Sequence, residues 1–107
     1  PIGTVGAVAV DMNGIIATAT STGGFNNKKS GRIGDTPLIS AGTWADNETC
    51  GVRGTVNGEY FIRYGVAHDV SARMKYLGES VHKAATTVIE NLKKVGGDGG
   101  AIALDKY

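Results

Sequence analysis

The hydrophobic period of this 107-residue chain changes near Asn57, and that change limits the possible folds more than any other feature. Beyond it, Phe61, Tyr64, Ala67, Val70, Met74 and Leu77 recur every three or four residues, the stripe of an amphipathic helix that Gly78 closes. Ser80 is placed to cap a second helix with the stripe Val81, Ala84, Ala85, Val88, Ile89, Leu92 and Val95. Lys93 and Lys94 suit the negative end of that helix, and Gly96-Gly97 ends it.

Before Asn57 the pattern is that of strands and turns. Residues 5–10 are small or β-branched throughout, as in a strand covered on both faces that starts at Thr4. Asn13-Gly14 tolerates the positive φ of a tight hairpin turn, and residues 15–22 run back as the second strand. Residues 23–37 form a long polar, glycine-rich loop, and residues 38–45 and 50–55 are short strands separated by Asp46-Asn47-Glu48. Residues 100–104 make a final strand. Glycine usage follows the same division: of 17 glycines, 11 precede Tyr60 and 4 lie between Gly96 and Gly100. The order β-β-β-β-α-α-β predicts an α+β fold, a mostly antiparallel sheet with two helices on one face. The strand at residues 5–10 then lacks cover on its other face, so a second polypeptide, or a further part of the same one, is expected to supply it.

Charge narrows the function. The 11 basic and 10 acidic residues leave a net charge of +1, and no basic stripe marks a phosphate backbone as partner, which argues against nucleic acid. The apolar runs fall far short of the ~20 residues of a spanning helix, which argues against a membrane. One cysteine, Cys50, cannot form an internal disulfide and points to a reducing compartment such as the cytosol. The triplet Asn47-Glu48-Thr49 is a glycosylation sequon, relevant only in a secreted or lysosomal setting.

Thr20-Ser21-Thr22-Gly23-Gly24, followed by Gly31-Arg32-Ile33-Gly34-Asp35, puts hydroxyls at a strand end beside a loop carrying Arg and Asp. A small zwitterionic ligand needs such groups, although a solvated loop with a surface ion pair of little worth has the same composition. Other motifs fail on context. Asp11-Met12-Asn13-Gly14 starts like a calcium loop but lacks the later acidic ligands. The run from Gly96 to Gly100 follows a helix and opens a strand, the reverse of a nucleotide-binding loop. His68 and His82 have no ligands at metal-binding spacing, and Cys50 reads as a small buried hydrophobe.

Taken in order, Gly3-Thr4-Val5-Gly6-Ala7-Val8-Ala9, residues 19–24, Gly31-Arg32-Ile33-Gly34-Asp35-Thr36-Pro37 and Ala41-Gly42-Thr43-Trp44-Ala45-Asp46-Asn47 resemble successive blocks of the plant-type L-asparaginase/isoaspartyl peptidase family. The similarity continues through Gly58-Glu59, Phe61-Ile62-Arg63 and the final glycine-rich run. It implies half of an αββα N-terminal-nucleophile hydrolase sandwich, built from α and β subunits of one precursor cut between Gly3 and Thr4 and joined as an (αβ)2 assembly. Residues 1–3 would be a remnant of the leader and residues 4–107 the catalytic β portion, without the α subunit and the last strands.

The resemblance further implies hydrolysis of L-asparagine and β-aspartyl dipeptides through an acyl-Thr4 intermediate, without a cofactor. Thr4 would be the nucleophile and its freed α-amine the base, since an α-amine titrates near ~7.7–8.0 and a peptide nitrogen has no useful basicity. Thr22 would position the nucleophile, Thr55 would serve the oxyanion hole, Arg32 would hold the substrate carboxylate and Asp35 its ammonium. Val56 stands where the family has a glycine whose amide completes the oxyanion hole, in a segment ending at Gly58. A valine there donates its N–H at negative φ and is disfavoured at positive φ. Three rivals share these residues: the glycosylasparaginase branch, a non-catalytic binding module of the same fold, and a generic α+β domain with solvated loop charges.

Overall fold

The computed structural model describes residues 4–23, 28–56, 58–97 and 99–107, and only the backbone of Thr55 and Val56. Strands β1 (Thr4–Val10) and β2 (Ile16–Thr22) form an antiparallel hairpin in continuous register from Thr4 opposite Thr22 to Val10 opposite Ile16. The turn is wider than the tight one predicted at Asn13-Gly14. Asp11 Oδ1 accepts hydrogen bonds from the backbone N–H groups of Asn13 and Ile15, at 2.8 and 2.9 Å, and Gly14 takes φ 81°.

Strands β3 (Thr43–Ala45), β4 (Gly51–Val56) and β5 (Gly99–Leu104) make a second antiparallel sheet in the order β3-β4-β5. The strands thus divide between two sheets instead of the single one expected. Alternation along β4 explains the layering. Gly51 and Arg53 face the hairpin, where Gly51 makes room for Val8, Ile16 and Thr18 and the Arg53 side chain crosses Gly6. Val52 and Gly54 face the helices, with Phe61 packed onto Gly54.

The helical half consists of α1 (Gly58–Tyr64), α2 (Val66–Leu77) and α3 (Val81–Lys94). The single helix expected up to Leu77 is broken at Gly65, which adopts a left-handed conformation at φ 55°. The break lets two orphan N–H groups of the first turn of α2 find carbonyls: Ala67 N–H donates to Ala41 at 3.1 Å and His68 N–H to Ser40 at 3.0 Å. The same exchange accounts for residues 38–42, which turn instead of forming the start of a strand. Ser40 sits at φ 81° there, the non-glycine at positive φ among the described residues. Local signals predicted elsewhere hold: Gly78 caps α2 at φ 68°, Ser80 Oγ accepts from Lys83 N–H at 3.2 Å, and Gly96 turns the chain after α3 at φ 90°.

The core lies between the second sheet and the helices, with Cys50, Val52, Phe61, Val66, Ala67, Val70, Ala84, Val88 and Leu92 buried together. α2 packs against β4 and α3 against β5, so two helices cover one face as the pattern of residues predicted. The opposite face of the hairpin, carrying Val5, Ala7, Ala9, Ala17 and Ala19, is exposed, and Val5 is 67% accessible.

Candidate active site

Thr4 and Thr22 close the open end of the hairpin. Paired residues on an antiparallel ladder project to the same face, so their hydroxyls meet: Thr4 Oγ1 donates to Thr22 Oγ1 at 3.0 Å. Thr4 is also two residues from Gly6 and four from Val8, so it shares the face that stacks on β4. Val8 lies over Gly51 and Gly6 over Arg53. One more step of two along each strand brings Thr4 level with Thr55, whose backbone pairs with Gly100. Val56 pairs with Gly99 as extended strand, the backbone region of negative φ that valine adopts readily. The roles expected of the Thr55 and Val56 side chains, the Gly3 side of the expected cleavage point, Gly24 and Asn57 lie outside the described residues.

Asp35 is held by the loop after β2, and the loop is pinned to that strand. Thr20 Oγ1 donates to the Thr36 carbonyl at 3.0 Å, and Thr36 is buried. Two glycines admit Asp35 to its place. A Cβ at Gly58 would fall 2.9 Å from Asp35 Oδ1, and one at Gly42 would fall 2.5 Å from its carbonyl oxygen. Gly58, expected to touch substrate, therefore makes room for the carboxylate at the start of α1.

Asp35 is only 6% exposed, and its Oδ2 is buried without a hydrogen-bond partner. Burial pushes its carboxyl above the ordinary carboxylate range, opposed by its own backbone N–H, by Arg32, by the Thr36 N–H and by Arg53. The Arg32 guanidinium lies along Gly34, where a Cβ would come within 3.2 Å of Nη1. Asp35 is thus a packed, buried charge and not a solvated one, while Arg32 is half-buried.

Arg53 was not singled out by the sequence. On β4 it faces the hairpin, and its side chain fits only because residue 6 has no Cβ. Its Nε and Nη2 are buried without hydrogen-bond partners. The strand period, which alternates Val52 and Arg53 between faces, was the available signal.

The remaining candidates keep structural roles. Cys50 is fully buried and its thiol is pushed up to about 11, chiefly by desolvation, which leaves no thiolate at neutral pH. The His68 ring meets Trp44 edge-on at 4.7 Å. Asn47, of the sequon, accepts from Ile16 N–H at 2.8 Å and ties the β3–β4 turn to the hairpin. Among the described residues no three His, Cys, Asp or Glu side chains are grouped to hold a metal ion. Nor is any helix among them long and apolar enough to cross a membrane.

The sequence matches those of known proteins. The profile of the family described as Asparaginase matches residues 1–107. "Isoaspartyl peptidase" of Escherichia coli is 50% identical over 105 residues, covering 97% of this chain and 33% of that protein. "Probable isoaspartyl peptidase/L-asparaginase 2" of Arabidopsis thaliana is 53% identical over 88 residues, 82% of this chain and 27% of its own length. "Isoaspartyl peptidase/L-asparaginase" of Bos taurus is 42% identical over 106 residues, 98% and 34% respectively. The chain therefore spans about a third of the length of these relatives. A family match over residues 1–107, on a chain whose Thr4 and Thr22 meet at the open end of a hairpin, identifies it as a member of the asparaginase family.

Proposed function

We propose that this chain supplies the nucleophile-bearing part of an amidohydrolase that cleaves L-asparagine and β-aspartyl dipeptides after the Gly3-Thr4 bond is cut. The observation that carries the reading is the 3.0 Å hydrogen bond between Thr4 and Thr22 at the open end of the hairpin. The names of the relatives, isoaspartyl peptidase and L-asparaginase, supply the substrate class.

Cleavage frees the Thr4 amine, which takes the proton of the Thr4 hydroxyl as Oγ1 attacks the amide carbon of the substrate side chain. The developing oxyanion is received by Thr55 and the Val56 N–H. The leaving amine takes the proton from the Thr4 ammonium as the C–N bond breaks, leaving an aspartyl ester on Thr4. Water, deprotonated by the same amine, then releases L-aspartate and regenerates the hydroxyl. Arg32 pairs with the α-carboxylate and Asp35 with the α-ammonium, so that selection rests on a free amino-acid head group.

The layering of hairpin, three-stranded sheet and helices supports one half of an αββα sandwich. In that arrangement the α subunit covers Val5, Ala7 and Ala9, and two αβ units assemble as (αβ)2. The test is hydrolysis of L-asparagine and a β-aspartyl dipeptide by the full-length, cleaved protein, with Thr4→Ala as control. Release of L-aspartate by the native protein alone is expected; turnover by Thr4→Ala, or none by the cleaved native protein, would overturn the reading.

A further inference from the structure

The hairpin turn holds a reactive sequence that the proposed chemistry does not use. In an Asn-Gly pair the glycine nitrogen can close a five-membered ring on the asparagine carboxamide, because no Cβ on the glycine obstructs the approach and its backbone turns freely. Asn13-Gly14 is such a pair, at the closed end of β1 and β2. Asn13 is exposed, and among the described residues its carboxamide has no hydrogen-bond partner, so its Cγ is open to attack. Lys106 crosses Gly14, its Cδ 3.6 Å from where a Cβ would stand. A cation is thereby brought to the turn, where it favours loss of the proton from the Gly14 nitrogen. Other asparagines lack this combination. Gly58, which follows Asn57, is buried, and a Cβ there would fall 2.9 Å from Asp35 Oδ1. Asn47 Oδ1 accepts from Ile16 N–H, and Asn91 lies within α3 before buried Leu92.

We propose that Asn13-Gly14 is a site of spontaneous isoaspartyl formation, held in check by the hydrogen bonds that Asp11 makes across the turn. The Gly14 nitrogen attacks Cγ of Asn13, the bond from Cγ to the side-chain nitrogen breaks, and ammonia leaves with the proton that Gly14 gave up. Water then opens the succinimide ring at either carbonyl. Attack at Cγ gives aspartate, and attack at the backbone carbonyl leaves the chain running through the side chain as isoaspartate. The contacts that oppose the first step are local. Gly14 N–H donates to the Asp11 carbonyl at 3.1 Å, and Asp11 Oδ1 gathers the N–H groups of Asn13 and Ile15 at 2.8 and 2.9 Å. All three sit at an exposed turn, where local opening is among the least costly motions of a fold. The product adds a backbone carbon and a carboxylate beside Asp11, in the turn that sets the register running from Val10 opposite Ile16 to Thr4 opposite Thr22.

The experiment is ageing of the full-length protein in mildly alkaline buffer, followed by isoelectric focusing and by peptide mapping that separates isoaspartate from aspartate. The native protein is expected to gain one negative charge at residue 13, with isoaspartate among the products. Asn13→Gln, whose longer side chain would have to close a six-membered ring, should lose that shift. Asn13 does not sit at positive φ, so glutamine fits its backbone. Asp11→Ala should acquire the charge about fivefold faster or more, the factor that one lost hydrogen bond carries. An Asn13 that keeps its amide in the aged native protein, while urea-unfolded protein converts there under the same conditions, would overturn the proposal. So would equal rates in the native protein and Asp11→Ala, or an acidic shift that maps to Asn57 with Asn13 intact.

Discussion

At the residue scale, the hydroxyl of Thr22 and the carboxylate of Asp35 make opposite demands on stability and function. Thr22 meets Thr4 at an exposed strand end, where removing one hydrogen bond costs the fold little. Thr22→Val is therefore expected to fold normally and to lose about 10²-fold in kcat, with KM nearly unchanged, because in the proposed chemistry the hydroxyl acts on the nucleophile. Steady-state kinetics on a β-aspartyl dipeptide would check both parts.

Asp35 works the other way. Burial raises its carboxyl pKa in the folded state, so between the unfolded and folded values the native protein binds more protons than the unfolded chain. Its contribution to stability is thus largest at low pH and is lost as pH rises through that window. Asp35→Asn is expected to melt above the native protein at neutral pH, with the gap closing as pH falls below the carboxylate range. It should also lose about tenfold or more in L-aspartate affinity, because a charge-assisted hydrogen bond disappears. Thermal melts across pH, with calorimetry, separate the two effects.

Thr4, Thr22, Arg32 and Asp35 were legible as site candidates because ordered sequence blocks carry them. Arg53 was not, since its significance depends on Gly6, a distant residue in another sheet.

At the element scale, legibility followed the range of the forces. The boundaries of α3 were readable because Ser80 and Gly96 act within one turn of the helix they end. The break at Gly65 was not, because the stripe from Phe61 to Leu77 continues across it and the compensation comes from the carbonyls of Ser40 and Ala41. The turn at residues 38–42, read as strand from its Leu and Ile, was missed for the same reason. Gly65→Ala is expected to destabilise the fold by about 1 kcal/mol, since a Cβ is strained at φ 55° while the space beside it is open. Urea unfolding would measure it. Gly58→Ala should cost more in function than in stability, because a Cβ there crowds Asp35 Oδ1.

At the scale of the whole molecule, the hairpin is the element that joins chemistry to architecture. One face carries Thr4, Gly6 and Val8 towards the second sheet; the other shows Val5, Ala7 and Ala9. The strand's composition raised the expectation of cover on that outer face, which is exposed here, whereas the division into two stacked sheets was not legible, because it turns on Gly51 and Gly6 admitting side chains from the opposite layer. If the α subunit lies on the outer face, Ala7→Asp in the full-length protein should prevent assembly, because an unpaired carboxylate would be buried. Size-exclusion chromatography would show the loss.

The central claim is that Thr4 becomes an N-terminal nucleophile, and intact mass with N-terminal sequencing of the incubated full-length precursor tests it most directly. A new chain beginning at Thr4, absent from the Thr4→Ala variant, is the expected result. A precursor that stays uncut would leave Thr4 without a free amine and would contradict the proposed chemistry.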